Sequence, residues 1–459
     1  MKTNFQDQKD QFTGALLTPG DEGYDQARRG WNLVVDQYPA AILMAKNTQD
    51  IIAGIRLASE AGLKIAVQST GHGAKYPADG QFMIHTSQLN EIVINAEAQT
   101  ARVGAGVYWK QVLDQTCALG LAPLLGSSPM VGVVGYTLGG GLGWLVRKYG
   151  MAADSVLAIE VVTPDGVLRR ATTQENADLF WAILGGAGNF GVITTLEFQL
   201  YPVTSLYGGF LVYPAEQARE AMRFYRAWVR TLPDEMTSSF SVMKFPSLPI
   251  MPEPVRGKTL VFIRAAWSGA PEDGQAFIQP WLYWQTPLEN AFRVMPFAAV
   301  GEISNDPVDP MPTYHTNELV NELSDEFIEI FTRQATAAQS PLFANEIRHV
   351  GGAVARTSAE RSAISHRSAE FYLTLLSGVF SPEMAAAIEL YVKAYKAELR
   401  PHLHGGIYLN FMDGKEALER VQDAYSAENF QRLSALKNQY DPQNLFCFSS
   451  PLQPAFAAA

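Results

Sequence analysis

Gly126-Ser127-Ser128-Pro129-Met130-Val131-Gly132-Val133-Val134-Gly135-Tyr136-Thr137-Leu138-Gly139-Gly140-Gly141-Leu142-Gly143 places seven glycines in eighteen residues, too few side chains for a conventional core. Successive N–H groups in such a stretch form concavities suited to an anion such as a diphosphate. Two further glycine sites flank it. Gln68-Ser69-Thr70-Gly71-His72-Gly73 follows a short apolar strand, Lys64 to Val67. Its histidine sits between two glycines that offer no packing wall, which argues for a functional imidazole. Gly186-Ala187-Gly188-Asn189-Phe190-Gly191 is a literal GxGxxG. A dinucleotide fingerprint must leave a strand and open a helix. Here a predicted helix (Glu175 to Leu184) precedes it and a strand (Val192 to Leu200) follows, so the order argues against a nicotinamide-binding Rossmann site.

Outward from these glycines, apolar periodicity sets the remaining elements. Asn47 to Gly62 reads as an amphipathic helix, capped by Asn47 or Thr48 and ended by Gly62. Strands are predicted at Phe82 to His85, Glu91 to Asn95, Ala101 to Gly104 and Ser155 to Thr163. A helix is expected at Tyr108 to Leu119 and a loop from Leu121 to Gly143. From about Leu206 the texture becomes α+β. Strands at Gly208 to Val212, Ser238 to Phe245, Thr259 to Trp267, Phe343 to Val350 and Glu370 to Leu376 alternate with helices. Those helices lie near Ala215 to Thr231, His315 to Ala335 and Pro382 to Glu398. The chain closes on a predicted strand, Gly406 to Phe411, and helices around Lys415 to Tyr425 and Ala427 to Gln439.

Thirty-five Lys and Arg stand against 46 Asp and Glu in 459 residues, a net charge of −11. That sign repels phosphate backbones and argues against a nucleic-acid partner. The 47% hydrophobic content fits a globular chain, and no stretch reaches the roughly 18 apolar residues of a membrane span. Met1 to Asp10 is polar, without the apolar region of a signal peptide. Cys117 and Cys447 are too few for a disulfide framework or a thiolate zinc site, and both sit in apolar patterns. His402-x-His404 has no acidic or thiolate neighbour, so no metal centre is expected. The expectation is a reduced, cytoplasmic protein without membrane association. A homo-oligomer stays open.

Taken together, the three glycine clusters resemble the FAD-binding module of the vanillyl-alcohol oxidase and p-cresol methylhydroxylase superfamily. Within it the chain is similar to the berberine bridge enzyme-like oxidases, including those of the hydroxynicotine oxidase type. The match also takes in Tyr38-Pro39, Asp79-Gly80, Gly104-Ala105-Gly106, Lys148-Tyr149-Gly150, Tyr408-Leu409-Asn410-Phe411 and Tyr440-Asp441-Pro442-Gln443-Asn444-Leu445-Phe446. The resemblance implies an α+β protein: a PCMH-type FAD-binding domain of two α/β subdomains, plus an antiparallel-sheet substrate domain covered by helices. It places the FAD domain at residues 1–204 and 405–459 and the substrate domain at 205–404. His72 falls on the histidine that bonds to the flavin 8α-methyl. Gln68, Ser69, Thr70, Gly71 and Gly73 would surround the pyrophosphate. Ser127, Ser128, Gly132, Val133, Gly135, Thr137, Leu138, Gly139 and Gly143 would line the dinucleotide, with Gly188, Gly191 and Val192 near the adenosine half. Two departures matter. Bicovalent members carry a Cys where Ser128 stands, so a single covalent link through His72 is expected. The usual Arg at the start of the histidine loop is Gln68.

Within that resemblance, Tyr408 and Asn410, two apart on a predicted strand, would share one face and point at the flavin. Tyr408 is thus the first candidate for a base or an orienting phenol, and Glu346, in Asn345-Glu346-Ile347-Arg348, the second. A tyrosine titrates near about pH 10, so acting as a base would need a nearby cation, for which His366 and Arg367 are candidates. The expected reaction is removal of hydride from a C–H beside a hydroxyl or nitrogen of a small organic substrate (a natural-product intermediate, an alkaloid or a sugar), with molecular oxygen as acceptor. The alternative is a flavin-fold protein that catalyses a non-redox cyclisation.

Overall fold

Apolar runs at Ala41–Met44, Ile65–Gln68 and Phe82–His85 are too continuous for a half-exposed sheet, and they pair in parallel, as buried strands of that kind do. The structure is a computed structural model describing residues 4–249, 251–450 and 452. In the first sheet Ala15–Leu17 adds antiparallel to Ala41–Met44. The helix Thr48–Glu60 buries Ile51, Ile55 and Ala58, and the Asn47 side chain caps it by accepting from the Asp50 N–H. Ile65 N donates to Leu445 O (2.8 Å), so the C-terminal segment extends this sheet.

A second, five-stranded sheet is antiparallel, in the order Ile92–Asn95, Thr100–Gly104, Val192–Gln199, Val156–Val162, Leu168–Ala171. The third has eight antiparallel strands, and Ser205–Pro214, Thr259–Trp267, Met236–Lys244, Ala344–His349, Phe371–Gly378 and Thr313–Val320 lie side by side in it. Its two faces differ. Phe240, Ile263, Ile347 and Leu373 point into a core shared with the helices Ala218–Val229, Asp325–Thr336 and Pro382–Leu399. The opposite face carries a polar row fixed by register: Arg264 and Arg348 both lie opposite Ser239, and Tyr372 opposite Arg348.

Four sequence expectations need correction. The loop expected from Leu121 to Gly143 contains the helix Val133–Leu138, and Val133, Val134, Leu138 and Leu142 are buried in the largest core. The glycine cluster therefore does hold side-chain core. The helix expected at His315 to Ala335 is the strand Thr313–Val320 followed by the helix Asp325–Thr336, which Ser324 caps. The helix Pro271–Trp284, with Pro at its first turn, escaped prediction. Gly406 to Phe411 is not a strand: Tyr408 is extended, and Leu409–Phe411 form a 3-10 turn. Among the described residues no helix is long and apolar enough to cross a membrane.

Candidate active site

Gln68 ends the strand Ile65–Gln68, and its side chain is already engaged. Its Oε1 accepts from Gln37 Nε2 (2.9 Å) and its Nε2 donates to Arg29 O (3.1 Å). That side chain anchors the N-terminal segment. Gly71 runs so close to Gly30 that a Cβ there would collide with backbone. This crossing brings Trp31 onto His72, ring centroids 4.5 Å apart and 14° from parallel. The packing wall absent from the local sequence thus comes from a distant residue. His72 Nδ1 lies 2.8 Å from Thr70 Oγ1, while Nε2 makes no hydrogen bond among the described residues. Burial pushes this imidazole down to about 4, so it is neutral at physiological pH.

The second glycine cluster faces this loop. A Cβ on Gly132 would stand 3.3 Å from Thr70 Cγ2 and 3.6 Å from Ser69 Oγ. Gly73 and Gly135 both border open space. Ser69 Oγ and Tyr136 Oη are buried without a hydrogen-bond partner. Buried hydroxyls left unpaired beside an open cradle are what a dinucleotide would satisfy, so these residues fit FAD. Ser127 borders the cleft between this cluster and the third sheet, and Ser128 Oγ accepts from Met130 N (3.3 Å). Val133, Thr137 and Leu138 are buried inward, Thr137 donating to Val133 O (2.7 Å), so their backbone is what they can offer a ligand. Gly143 is pressed against the Leu125 carbonyl, and packing accounts for it.

Gly139, Gly140 and Gly141 make room for Tyr408 and Asn410. The Asn410 amide occupies the space a Cβ on Gly139 would need. Gly141, at φ 85°, aims its N–H at Tyr408 Oη (2.7 Å). Asn410 Nδ2 donates to Tyr408 Oη (3.1 Å) and to Tyr136 O (2.9 Å). Tyr408 and Asn410 therefore meet through the turn, which folds Asn410 back, and not through strand alternation. Asn317 holds the segment from the sheet: it donates to Tyr408 O (2.8 Å) and accepts from Tyr408 N (2.8 Å). Lys75 holds it from the histidine loop, donating to Leu409 O and Met412 O, both at 2.8 Å.

Arg348 closes the site from the sheet. Its Nε donates to Glu346 Oε2 (2.8 Å), and its guanidinium lies 4.9 Å over the Phe411 ring. That ring is edge-on to Tyr408 at 5.0 Å and stacked on His315 at 5.1 Å. The cation bearing on Tyr408 is Arg348. The expected suppliers are engaged elsewhere: Arg367 pairs with Asp154 (2.8 Å), and His366 Nε2 bonds Asp423 O (3.0 Å). Burial raises the Tyr408 phenol above its ordinary range despite the Gly141 and Asn410 bonds and Arg348, so it stays protonated. Glu346 is held below the usual carboxylate value because Arg348 and Arg264 outweigh its burial, and it is ionised. The lone charge of Arg264 in an apolar strand, and the two-residue spacing of Glu346 and Arg348, were the sequence signals for this cluster.

On the far side, Gly188 lies beside Ser449, Gly191 is packed on the Val162 carbonyl, and Val192 is fully buried. The helix before them and the strand after them are Ala177–Gly186 and Val192–Gln199, in the order read from sequence. Lys437 ties this turn to the tail, donating to Asn189 O (2.8 Å), Phe446 O (2.6 Å) and Asp441 Oδ2 (2.6 Å) with no exposure.

Residues 39–172 match the family model for an FAD binding domain, and residues 407–452 match the model described as berberine and berberine like. An FAD-linked oxidoreductase of Dictyostelium discoideum is 27% identical over 96% of this chain and 95% of its own length. The (R)-6-hydroxynicotine oxidase of Paenarthrobacter nicotinovorans is 34% identical over 44% of each chain. In fold, the crystal structure of 6-hydroxy-D-nicotine oxidase from Arthrobacter nicotinovorans superposes with a TM-score of 0.85 at 24% identity, covering 96% of this chain and 98% of the other. The two matched regions hold His72, the second glycine cluster, Tyr408 and Asn410, and over nearly its whole length the chain is similar to FAD-linked oxidoreductases.

Proposed function

We propose that the protein is an oxidase of a small organic substrate, with FAD joined covalently through His72 alone. Residues 1–204 and 405–459 form its cofactor part and 205–404 its substrate part. Bound FAD would supply the two-electron acceptor for hydride from a C–H beside a hydroxyl or nitrogen, with oxygen as the final acceptor. The neutral His72 imidazole, held by Trp31 and Thr70, keeps the ring-nitrogen lone pair that a bond to carbon requires. Ser128 offers no thiolate for a second link.

The observation that carries the reading is the junction at Arg348, which brings a protonated phenol and an ionised carboxylate to one place. Tyr408 Oη accepts from Gly141 and Asn410, leaving its own proton to donate, so it orients the substrate heteroatom. Glu346 is charged at neutral pH and accepts the substrate O–H or N–H proton as hydride leaves. Tyr136 Oη is a further donor at the same cradle.

The test is acid precipitation of the purified protein. Yellow colour should stay with the pellet, and His72→Ala should release it to the supernatant; colour that washes away from the unaltered protein overturns the covalent link. Hydrogen peroxide should appear without an added acceptor in a screen of alcohols, amines and sugars. A turned-over substrate that leaves the flavin absorption unchanged without oxygen would point to cyclisation instead.

A further inference from the structure

The polar row of the third sheet holds more positive than negative charge, and the surplus points into the site. Arg264 and Arg348 lie opposite the same residue, Ser239, so both guanidinium groups stand on the face that looks toward Tyr408 and Tyr136. A single carboxylate serves them. Glu346 accepts from Arg348 Nε at 2.8 Å and stands 3.8 Å from Arg264 Nη1. Arg264 spends its other contacts on Ser241 Oγ (2.9 Å) and Met243 Sδ (3.1 Å), and its Nε is buried without a partner. Arg348 Nη1 and Nη2 make no hydrogen bond among the described residues. Asp306 bears on both arginines from a distance but bonds neither. His315, the next group on this face, is kept neutral by burial and by Arg348 itself.

Arg348 and Arg264 share one carboxylate, and a guanidinium whose two terminal nitrogens are free presents the fork that matches a second. The surroundings mix apolar walls with hydroxyls, Thr237 and Ser239 among them. Phe411 lies under Arg348, and the cleft that Arg348 opens on is walled by Leu142, Trp144 and Val146.

We infer that the substrate is a small molecule carrying a carboxylate, which Arg348 receives end-on with Arg264 behind it. This rests on the flavin-oxidase reading above and names the substrate class of that same site. Glu346, bonded through Nε, sets the plane of the Arg348 fork and leaves Nη1 and Nη2 directed at the ligand.

The holoenzyme tests it with two isosteric probes, benzoate and benzamide, titrated while the flavin absorption is followed. Benzoate should bind at least about tenfold more tightly than benzamide, since a charge-assisted bidentate pair is stronger than its neutral counterpart. Arg348→Met should erase that preference, Arg348→Lys should keep part of it, and Glu346→Gln should tighten benzoate further by freeing both arginines. Should Arg348→Met lose its flavin or its fold, Arg348→Lys and Glu346→Gln carry the comparison. Equal binding of the two probes, binding of neither by yellow enzyme, or an undiminished preference in the Arg348 variants overturns the inference. An altered ligand-free spectrum in Arg348→Met with the preference intact would put Arg348 on the cofactor instead. Colourless protein would be a failure of the flavin reading and is seen before any probe is added.

Discussion

Asn410 lies where Gly139 would carry a side chain: the amide that bonds Tyr136 O and Tyr408 Oη fills the space beside the Gly139 Cα. The three consecutive glycines are therefore a seat for the Tyr408 turn as much as a cradle for a cofactor. Gly139→Ala should push Asn410 aside and cost about 1–3 kcal/mol, the usual range for overpacking. Thermal unfolding reads that loss. The flavin absorption should shift as well, because Tyr408 and Tyr136 both lose their Asn410 contact. An unchanged Tm would show that the turn adjusts freely.

How much of this was legible beforehand differs from element to element. Glycine spacing is local, so the three clusters and His72 stood out, and the helix-then-strand order around Gly186 to Gly191 was readable from periodicity. The roof was not. Arg264 and Arg348 meet only because both strands pair with Met236–Lys244 in one register, which no local pattern encodes. Trp31 on His72 and Lys75 on the Leu409 carbonyl are likewise contacts between remote segments. Tyr408 and Asn410 were paired correctly for a wrong reason, since strand alternation was expected and a 3-10 turn brings them together.

Tyr408→Phe separates orientation from proton acceptance. Removing the hydroxyl leaves the Gly141 N–H and an Asn410 N–H without their acceptor, a cost of about 1–3 kcal/mol. Activity should fall at every pH with the shape of the pH profile unchanged, because the buried phenol does not titrate in the working range. Glu346→Gln should instead lower kcat by about 10²–10⁴, the span for loss of a positioned base. In the unaltered enzyme the Glu346 limb lies below the normal carboxylate range, because Arg348 and Arg264 favour the ionised form. A basic limb that vanishes in Tyr408→Phe would reverse the two roles.

Lys437 and Asp441 form a fully buried ion pair, and Asp441 also accepts from the N–H groups of Leu445 (2.8 Å) and Phe446 (2.9 Å). The pair fastens the C-terminal segment to the first sheet and to Asn189. Lys437→Met leaves the carboxylate buried without its cation, which should cost about 3–5 kcal/mol. Denaturant titration measures it. A loss near zero would mean that the two backbone donors alone satisfy Asp441.

Lys75 and Asp413 make the stability of the site depend on pH. Burial pushes Lys75 down to about 8, opposed by Asp413, and pushes Asp413 up to about 7, opposed by Lys75. Asp413 binds its proton more tightly folded than unfolded, so its contribution is present at low pH and is lost as pH rises from about 4 to about 7. Lys75 gives up its proton more readily when folded. Its penalty is present below about pH 8 and is relieved as pH rises toward the ordinary lysine range. Asp413→Asn should therefore remove a decline in Tm between about pH 4 and 7, read as the difference between variant and parent. Lys75→Met should flatten the rise on the alkaline side. It should also loosen the Leu409 and Met412 carbonyls on either side of Asn410, lowering kcat while leaving flavin attachment at His72 intact. Parallel stability curves for parent and Asp413→Asn across the acid window would show that Asp413 is ionised in the folded protein and that its Lys75 partner outweighs burial.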